Sequence, residues 1–475
     1  MGIFLTDQDQ LIVALDPDYF MRNEKDDICI FPRNPFFDQK KSRRLVISSP
    51  EAILLALCNG ERNVSEIRCA ISNILQVDIK VAAKIVVNCL SKFKDYLTIV
   101  DDSNIRNIVK YRPEDFILPG NKHFLRSGGP SAPELIMLIP TFSCDCHCRY
   151  CYAPRHQFFE EIALHDVERL TVQMKEMQIP SLVFSGGDPF CHAHIMGMIK
   201  ACVDNDVRSV LATKAPLSGK TIKQLKRLGV AEIQVSIDSS DKDIVEYLVG
   251  RSNYFDAIVK SIRNMVSEGI AVNINSVLTS HNIRSMEMSI RDFAKWGIRQ
   301  ITLSQYTRSR FSHNDALFCQ PGDLSSLEAM IPGLKKNLEP VNIYFKKIKD
   351  PLFMSRQEKT EFFKNRPVCN AGRNGLVILP DGSVTVCEIL YDIKDFIIGN
   401  IKNERLSSIW DSPKRTDFAA SGYKYLSREE CKRCDQLIDC YTVRGKCFVR
   451  ALQSHGDALR PDPFCPKSPP GNRLT

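Results

Sequence analysis

The sequence predicts an α/β protein in three parts, built around parallel strands. Three observations predict this. From Glu134 to about residue 350, strand-like runs alternate with helix-length segments. Ahead of them lies a stretch of short β-like runs followed by helical patterns, and behind them the rhythm stops and cysteines return, from Cys369 to Cys465. Repeated βα units of this spacing imply parallel strands, and therefore a barrel or a doubly wound sheet.

Composition bounds the reading. A chain of 475 residues, 44% of them hydrophobic, can fill the cores of about three domains and needs no cysteine staples. The opening MGIFLTDQDQLIVALD has neither a basic n-region nor a long apolar h-region, and no apolar run approaches the ~20 residues that span a bilayer. A cytoplasmic protein with no membrane partner is expected. Thiols stay reduced there, so the clustered members of its 18 cysteines point to metal ligation or catalysis rather than disulfides. A net charge of +8, spread along the chain, permits an acidic partner without demanding nucleic acid.

The first part, residues 1–110, opens with the β-like runs LIVAL, ICIF and RRLVIS. Three helical patterns follow. Ser49 is expected to cap the first, with Pro50 at its first position and a stripe of Ile53, Leu54 and Leu57 that stops at Asn59-Gly60. The second opens on Asn63 with Glu66 in capping-box spacing and carries Ile67, Ile71 and Ile74; the third runs over about 79–95. Three strands and three short helices suggest a winged helix. A Pro/Gly-containing connector, 111–133, separates it from the βα block at 134–350.

In that block the strand-like runs are ELIMLI, SLVFS, SVLAT, EIQVSI, VNINSVL and ITLSQ. Ligands collect at the C-terminal ends of parallel strands, and the unusual residues stand there. After the first strand comes TFSCDCHCRYCYAP, in which Cys144, Cys148 and Cys151 follow CxxxCxxC spacing. Three thiolates on one loop can hold three irons of a [4Fe–4S] cube and leave the fourth open to another ligand. Zinc is the competing occupant, but structural zinc sites want a closed four-ligand set. Cys146 falls outside the spacing and reads as a bystander. Asp188 and Asp238, taken singly, could be simple turn and cap residues.

The order of landmarks resembles the radical S-adenosylmethionine (SAM) superfamily, which implies a partial (β/α)6, TIM-like barrel. Besides the cysteine loop, with Tyr150 before its last cysteine, Gly186-Gly187-Asp188-Pro189 looks like the family's GGE/GGD-P element beside the SAM methionyl amine. Ser236 and Asp238 match positions that contact the ribose and methionyl part of SAM, and Arg251 resembles the arginine that pairs with its carboxylate. The resemblance therefore implies SAM bound by these residues, on a [4Fe–4S] cluster held by Cys144, Cys148 and Cys151.

The third part, 351–475, holds Cys369, Gly382, Cys387, Cys431, Cys434, Cys440, Cys447 and Cys465. This looks like the SPASM extension, whose cysteines hold auxiliary iron–sulfur clusters. The sixth cysteine departs from the pattern, because Arg444 occupies its usual place and Cys447 comes later. By resemblance Cys431, Cys434, Cys440 and Cys465 close one auxiliary cluster. Cys369, Cys387 and Cys447 serve the other, whose fourth position is open or filled by Cys319 or a substrate atom. A zinc ribbon is the alternative. Cys29, Cys58, Cys69, Cys89 and Cys202 read as buried free thiols, and Cys191, beside the GGDP loop, stands apart from them.

The stretch ISSPEAILLALCNGERNVSEI in the front part resembles the PqqD-like peptide-recognition element, which binds the leader of a ribosomally made precursor peptide. The third helix lacks the Arg/Asn/Gln density of a DNA reader. An added leader strand would lie between about 43–48 and the helix over 81–94, with Val46, Ile85 and Val86 as pockets. Arg43, Arg44, Lys84 and Lys92 would draw in an acidic leader; the competing reading has these residues close the domain's own core. Element, barrel and extension together resemble peptide maturases. They imply reductive SAM cleavage to a 5′-deoxyadenosyl radical, hydrogen abstraction from the peptide, and an oxidative cross-link (thioether, C–C or C–O). An external donor such as flavodoxin or ferredoxin would supply the electrons. Two other classes remain open: a maturase of a folded protein, of the sulfatase-maturing type, and a winged-helix redox regulator.

Overall fold

A computed structural model describes residues 9–24, 27–33, 44–101, 105, 108–116, 130–154, 160–366, 369, 371–416, 429–435 and 445–475. Arg43 and Cys440 lie outside the described residues. The chain divides into two units, Met1–Glu134 and Leu135–Thr475.

The first unit contains β1 (Ile12–Leu15), β2 (Tyr19–Glu24), β3 (Asp27–Pro32), β4 (Leu45–Ile47), α1 (Ser49–Leu57), β5 (Asn59–Asn63), α2 (Val64–Leu75), α3 (Ile79–Lys92) and β6 (Leu97–Ile99). Its described residues hold six strands where three were expected, in two antiparallel sheets ordered β5-β1-β6 and β2-β3-β4. The polar run Asn59–Asn63, expected only as a helix stop, pairs with β1. The cap of α1 is Ser48, one residue earlier than expected. Glu51 accepts from the Ser48 backbone N at 2.8 Å and from its Oγ at 2.7 Å, and Pro50 stays inside the first turn, where its missing N–H costs nothing. At α2 the box closes as expected, Glu66 N donating to Asn63 Oδ1 at 2.9 Å.

These caps aim the apolar faces inward. Leu54, Ile67, Ile71, Ala82, Val86 and Leu90 meet strand residues Val13, Leu15 and Ile28 in one core. Tyr111 and Phe116, placed by sequence in the connector, pack into it as well. The last connector residues are held too: the buried Arg22 guanidinium donates to the carbonyls of Ala132 (3.1 Å) and Pro133 (3.0 Å) while paired with Glu24.

Two expectations are corrected here, for Cys69 and Val86. Cys69 is exposed, because it lies two residues along from Ile67 and so on the opposite side of α2. Val86, expected as a peptide pocket, is fully buried in the core. Ile85 is partly buried against that same core. Arg44 lies over the Phe31 ring and donates to Cys29 Sγ at 3.0 Å. Lys84 is exposed, Lys92 pairs with Glu51, and Val46, on the edge strand β4, is 56% exposed.

The second unit is organised by one sheet. Its strands are β7 (Leu135–Leu138), β8 (Ser181–Phe184), β9 (Arg208–Thr213), β10 (Glu232–Ser236), β11 (Ala271–Leu278), β12 (Gln300–Gln305), β13 (Asn342–Phe345), β14 (Gly375–Ile378), β15 (Ser383–Thr385) and β16 (Ile397–Asn400). β7 to β13 run parallel in chain order, with helices α4 (Leu164–Glu176), α5 (Ile195–Asp204), α6 (Gly219–Arg227), α7 (Lys242–Val249), α8 (Phe255–Ser267), α9 (Met286–Lys295) and α10 (Pro321–Asn337) between them. All six expected strands are present. A seventh, β13, was not foreseen, and β14 extends the other edge by pairing parallel to β7, so the C-terminal part continues the barrel sheet. β8 is buried at all four positions, the pattern of a parallel strand covered on both faces.

Candidate active site

The loop after β7 carries Cys144, Cys146, Cys148 and Cys151, and all four line a cavity of about 400 Å³ at the C-terminal ends of the strands. Gly186, Gly187, Asp188, Pro189, Ser236 and Tyr150 line it too. Two clamps hold the cysteine loop. On one side Gly187 N donates to Thr141 O (3.1 Å) and Asp188 N to Ser143 O (2.9 Å). A Cβ on Gly187 would stand 2.2 Å from Ser143 O, and one on Gly186, at φ +119°, 2.6 Å from Thr141 O. The glycine pair is thus required by the close approach of the protein's own backbone. On the other side His147 N and Arg149 N donate to the last carbonyls of α7, Val249 O at 2.8 Å and Leu248 O at 3.0 Å.

Beneath the loop lies a buried polar network that the sequence reading missed. Lys214, directly after β9, donates to Tyr150 Oη (2.9 Å), Asp238 Oδ2 (3.2 Å) and Ser236 O (3.4 Å). Tyr150 Oη also donates to Asp238, whose other oxygen accepts from Val277 N at 2.9 Å. Burial works to depress the Lys214 ammonium, but the Asp238 carboxylate together with Cys148 and Cys146 outweighs it and holds the group above its ordinary value. Asp238 is 0% exposed and does not line the cavity; it orients Tyr150 and Lys214 from below. Asp188 is a hub: its carboxylate accepts from Phe190 N, Thr213 Oγ1, Lys214 N and Ala215 N, and burial still raises it. Arg251 lies off the cavity, with Asp145 at 3.8 Å and a buried Nη1 that has no hydrogen-bond partner. The strand-end rule was the available signal for Lys214.

The donor set suits an iron–sulfur cube. Burial pushes the Cys148 thiol up to about 12, so proton loss there calls for a metal cation. Among the described residues no three His, Cys, Asp or Glu side chains converge on a single ion, whereas a cube takes one thiolate per iron. Cys146 is buried, its N–H directed at Cys144 Sγ (3.4 Å).

The C-terminal cysteines form two neighbourhoods. Cys387 feels the charges of Cys447 and Cys369, while Cys431 feels those of Cys465 and Cys434. Cys447 N donates to Asp462 Oδ2 (3.0 Å), which also binds Arg450. Cys319 is buried near Asp323 and Arg473, and none of the described auxiliary cysteines acts on it. This region also supplies Glu388, Ile389 and Gln453 to the cavity wall. Glu388 was missed as well; its only signal was its place next to Cys387.

Comparison with known proteins agrees with this geometry. Residues 138–304 match the radical SAM superfamily, and residues 369–435 match the SPASM iron–sulfur cluster-binding domain. The chain is 22% identical over 364 residues to PqqA peptide cyclase of Ruegeria pomeroyi, covering 74% of this chain and 93% of that one. It is 23% identical over 348 residues to PqqA peptide cyclase of Streptomyces rochei, covering 71% and 90%. Its fold is similar to Streptococcus suis SuiB, solved bound to the precursor peptide SuiA, at TM-score 0.63 and 16% identity, covering 95% and 98%. The two domains imply a SAM-binding [4Fe–4S] cluster, auxiliary iron–sulfur clusters and SAM. The chain is a radical SAM enzyme whose cysteine-rich extension is a SPASM domain.

Proposed function

We propose that the protein modifies a ribosomally made precursor peptide by oxidative cross-linking. The observation that carries the reading is the composition of the cavity wall, which the three-cysteine loop shares with Glu388 and Ile389 of the SPASM match and with Gln453 beyond it. A substrate in this cavity meets both the radical-generating loop and the domain that holds auxiliary clusters. The PqqA peptide cyclases and peptide-bound SuiB supply the substrate class by analogy.

Cys144, Cys148 and Cys151 would hold the cluster, and Ser236, Gly186, Gly187, Pro189 and Tyr150 the SAM beside it. Bound there, cluster and SAM supply a carbon-centred radical able to take hydrogen from an unactivated C–H bond. The chain's own residues do the positioning. Lys214 and Asp238 fix Tyr150, and the GGD loop fixes the cysteines. The finer parts of the reading are a leader bound along β4 in the first unit, a flavodoxin- or ferredoxin-type donor, and a cytoplasmic setting; no helix among the described residues is long and apolar enough to cross a membrane.

The test is anaerobic incubation of reconstituted protein with SAM, a reductant and a candidate precursor peptide, sought among short reading frames beside the gene. The expected result is 5′-deoxyadenosine together with a peptide lighter by two hydrogens. Changing Cys144, Cys148 and Cys151 together to Ala should abolish both and remove about four irons per chain, one cube's worth. Unchanged iron content, or 5′-deoxyadenosine from the triple variant, refutes the assignment.

A further inference from the structure

The cavity wall carries two carboxylates with no ion pair among the described residues, and they differ: Asp188 is met by three backbone N–H groups and the Thr213 hydroxyl, Glu388 by two hydroxyls alone. Glu388 Oε2 accepts from Tyr152 Oη (3.2 Å) and Ser185 Oγ (3.4 Å), and among the described residues it has no ion pair. The cations near it are committed elsewhere. Lys214 faces Asp238 at 3.2 Å, and Arg308 faces Asp315 at 3.1 Å. Arg310 comes nearest in chain terms, its Nη1 donating to Ile389 O at 3.1 Å. Yet it turns both Nη atoms to Asp392, at 2.7 and 2.8 Å. Glu388 is half-buried, and a carboxylate partly withdrawn from water without a countercharge carries a cost that is relieved when a cation arrives with a ligand. Cys144, Cys148 and Cys151 share the cavity, and as ligands they are thiolates, which adds to its preference for positive charge.

We infer that Glu388, with the Tyr152 and Ser185 hydroxyls, forms a subsite for an organic cation: an ammonium, guanidinium or sulfonium group entering the cavity stands against this carboxylate. Two molecules could bring that chemistry. SAM carries an ammonium and a sulfonium, and a peptide brings lysine or arginine. Only the second source rests on the peptide-modifying reading, and binding alone is measured, so failure to cross-link any peptide leaves the result untouched.

The experiment uses the full-length, anaerobically reconstituted protein and two small probes of the same shape, butylguanidinium and neutral butylurea. Equilibrium dialysis without SAM should show the cation bound about tenfold tighter or more, as expected of a charge-assisted contact. Equal binding of the two probes overturns the proposal. Saturating SAM then separates the sources: a preference that persists assigns the subsite to a peptide side chain, and one that SAM abolishes assigns it to the cofactor. Glu388→Gln should erase the preference. A preference that survives in a variant of normal iron content overturns the proposal, because the charge would lie elsewhere. If Glu388→Gln does not fold, Tyr152→Phe takes its place and should weaken the cation alone; equal weakening of both probes overturns the assignment.

Discussion

The Lys214 ammonium lies 3.2 Å from the Asp238 carboxylate, and one Tyr150 hydroxyl touches both. A single buried charge pair thereby joins the end of β9, the loop after β10 and the cysteine loop. Removing one member of such a pair leaves the other uncompensated, at a typical cost of about 3–5 kcal/mol. Lys214→Met should therefore lower the apparent melting temperature by several degrees, read by differential scanning fluorimetry of the reconstituted protein. The double variant Lys214→Met, Asp238→Asn should recover most of the loss. Equal melting of single and double variants would show that the pair contributes nothing as a pair.

Gly187 supplies a sharper geometric test. A methyl group there would meet Ser143 O at 2.2 Å and Phe142 O at 2.4 Å, both backbone atoms that cannot rotate away. The expected outcome of Gly187→Ala is displacement of the cysteine loop, seen as loss of about one cube of iron and of SAM binding. The auxiliary clusters should keep their iron, since their ligands lie on other segments.

Glu51 gives the pH dependence a direction. Burial alone would raise its carboxyl, but hydrogen bonds from Lys92 and from the Ser48 N–H and hydroxyl outweigh it, and the net shift is downward. A carboxyl depressed in the folded state stabilises fully above its unfolded pKa of ~4.3 and loses that contribution as pH falls through the folded value. Glu51→Gln should therefore flatten the acid limb of stability below about pH 4.5 and leave the alkaline limb alone. The Lys92 partner is exposed and Glu51 itself only half-buried, so solvent screening keeps the effect modest. Urea titrations at pH 3.5 and pH 7 measure it.

The part of the site legible in the sequence was the part carried by spacing. CxxxCxxC, GGDP and the strand-end positions are local patterns, and the six βα units are periodic, so each could be placed without coordinates. The Lys214, Asp238 and Tyr150 network was not legible as a unit, because its members come from three loops and only the parallel register unites them. Glu388 stayed hidden for the same reason. The strand β14 was hidden too: no local pattern says that a run after residue 370 will pair with β7, since such pairing is non-local. Val86 was misjudged because a helix face cannot be assigned inward or outward until its partners are known, and the stripe of Ala82, Val86, Cys89 and Leu90 faces the core.

That correction separates two residues that sequence alone grouped together. Val46 is 56% exposed on β4, which among the described residues is an edge strand of the kind an added strand can extend, whereas Val86 is fully buried. If a leader peptide docks along β4, Val46→Asp should weaken its binding to the full-length protein about tenfold or more while leaving thermal stability within ~0.5 kcal/mol, as usual for a surface change. Val86→Ala should do the reverse. Loss of two buried methyl groups destabilises by ~1–3 kcal/mol, and leader affinity at a temperature where the variant remains folded should hardly change. Fluorescence anisotropy of a labelled leader, beside a melting curve for each variant, reads both effects. If Val46→Asp binds as the parent does, strand addition along β4 is the wrong docking mode, whatever the fate of Val86→Ala.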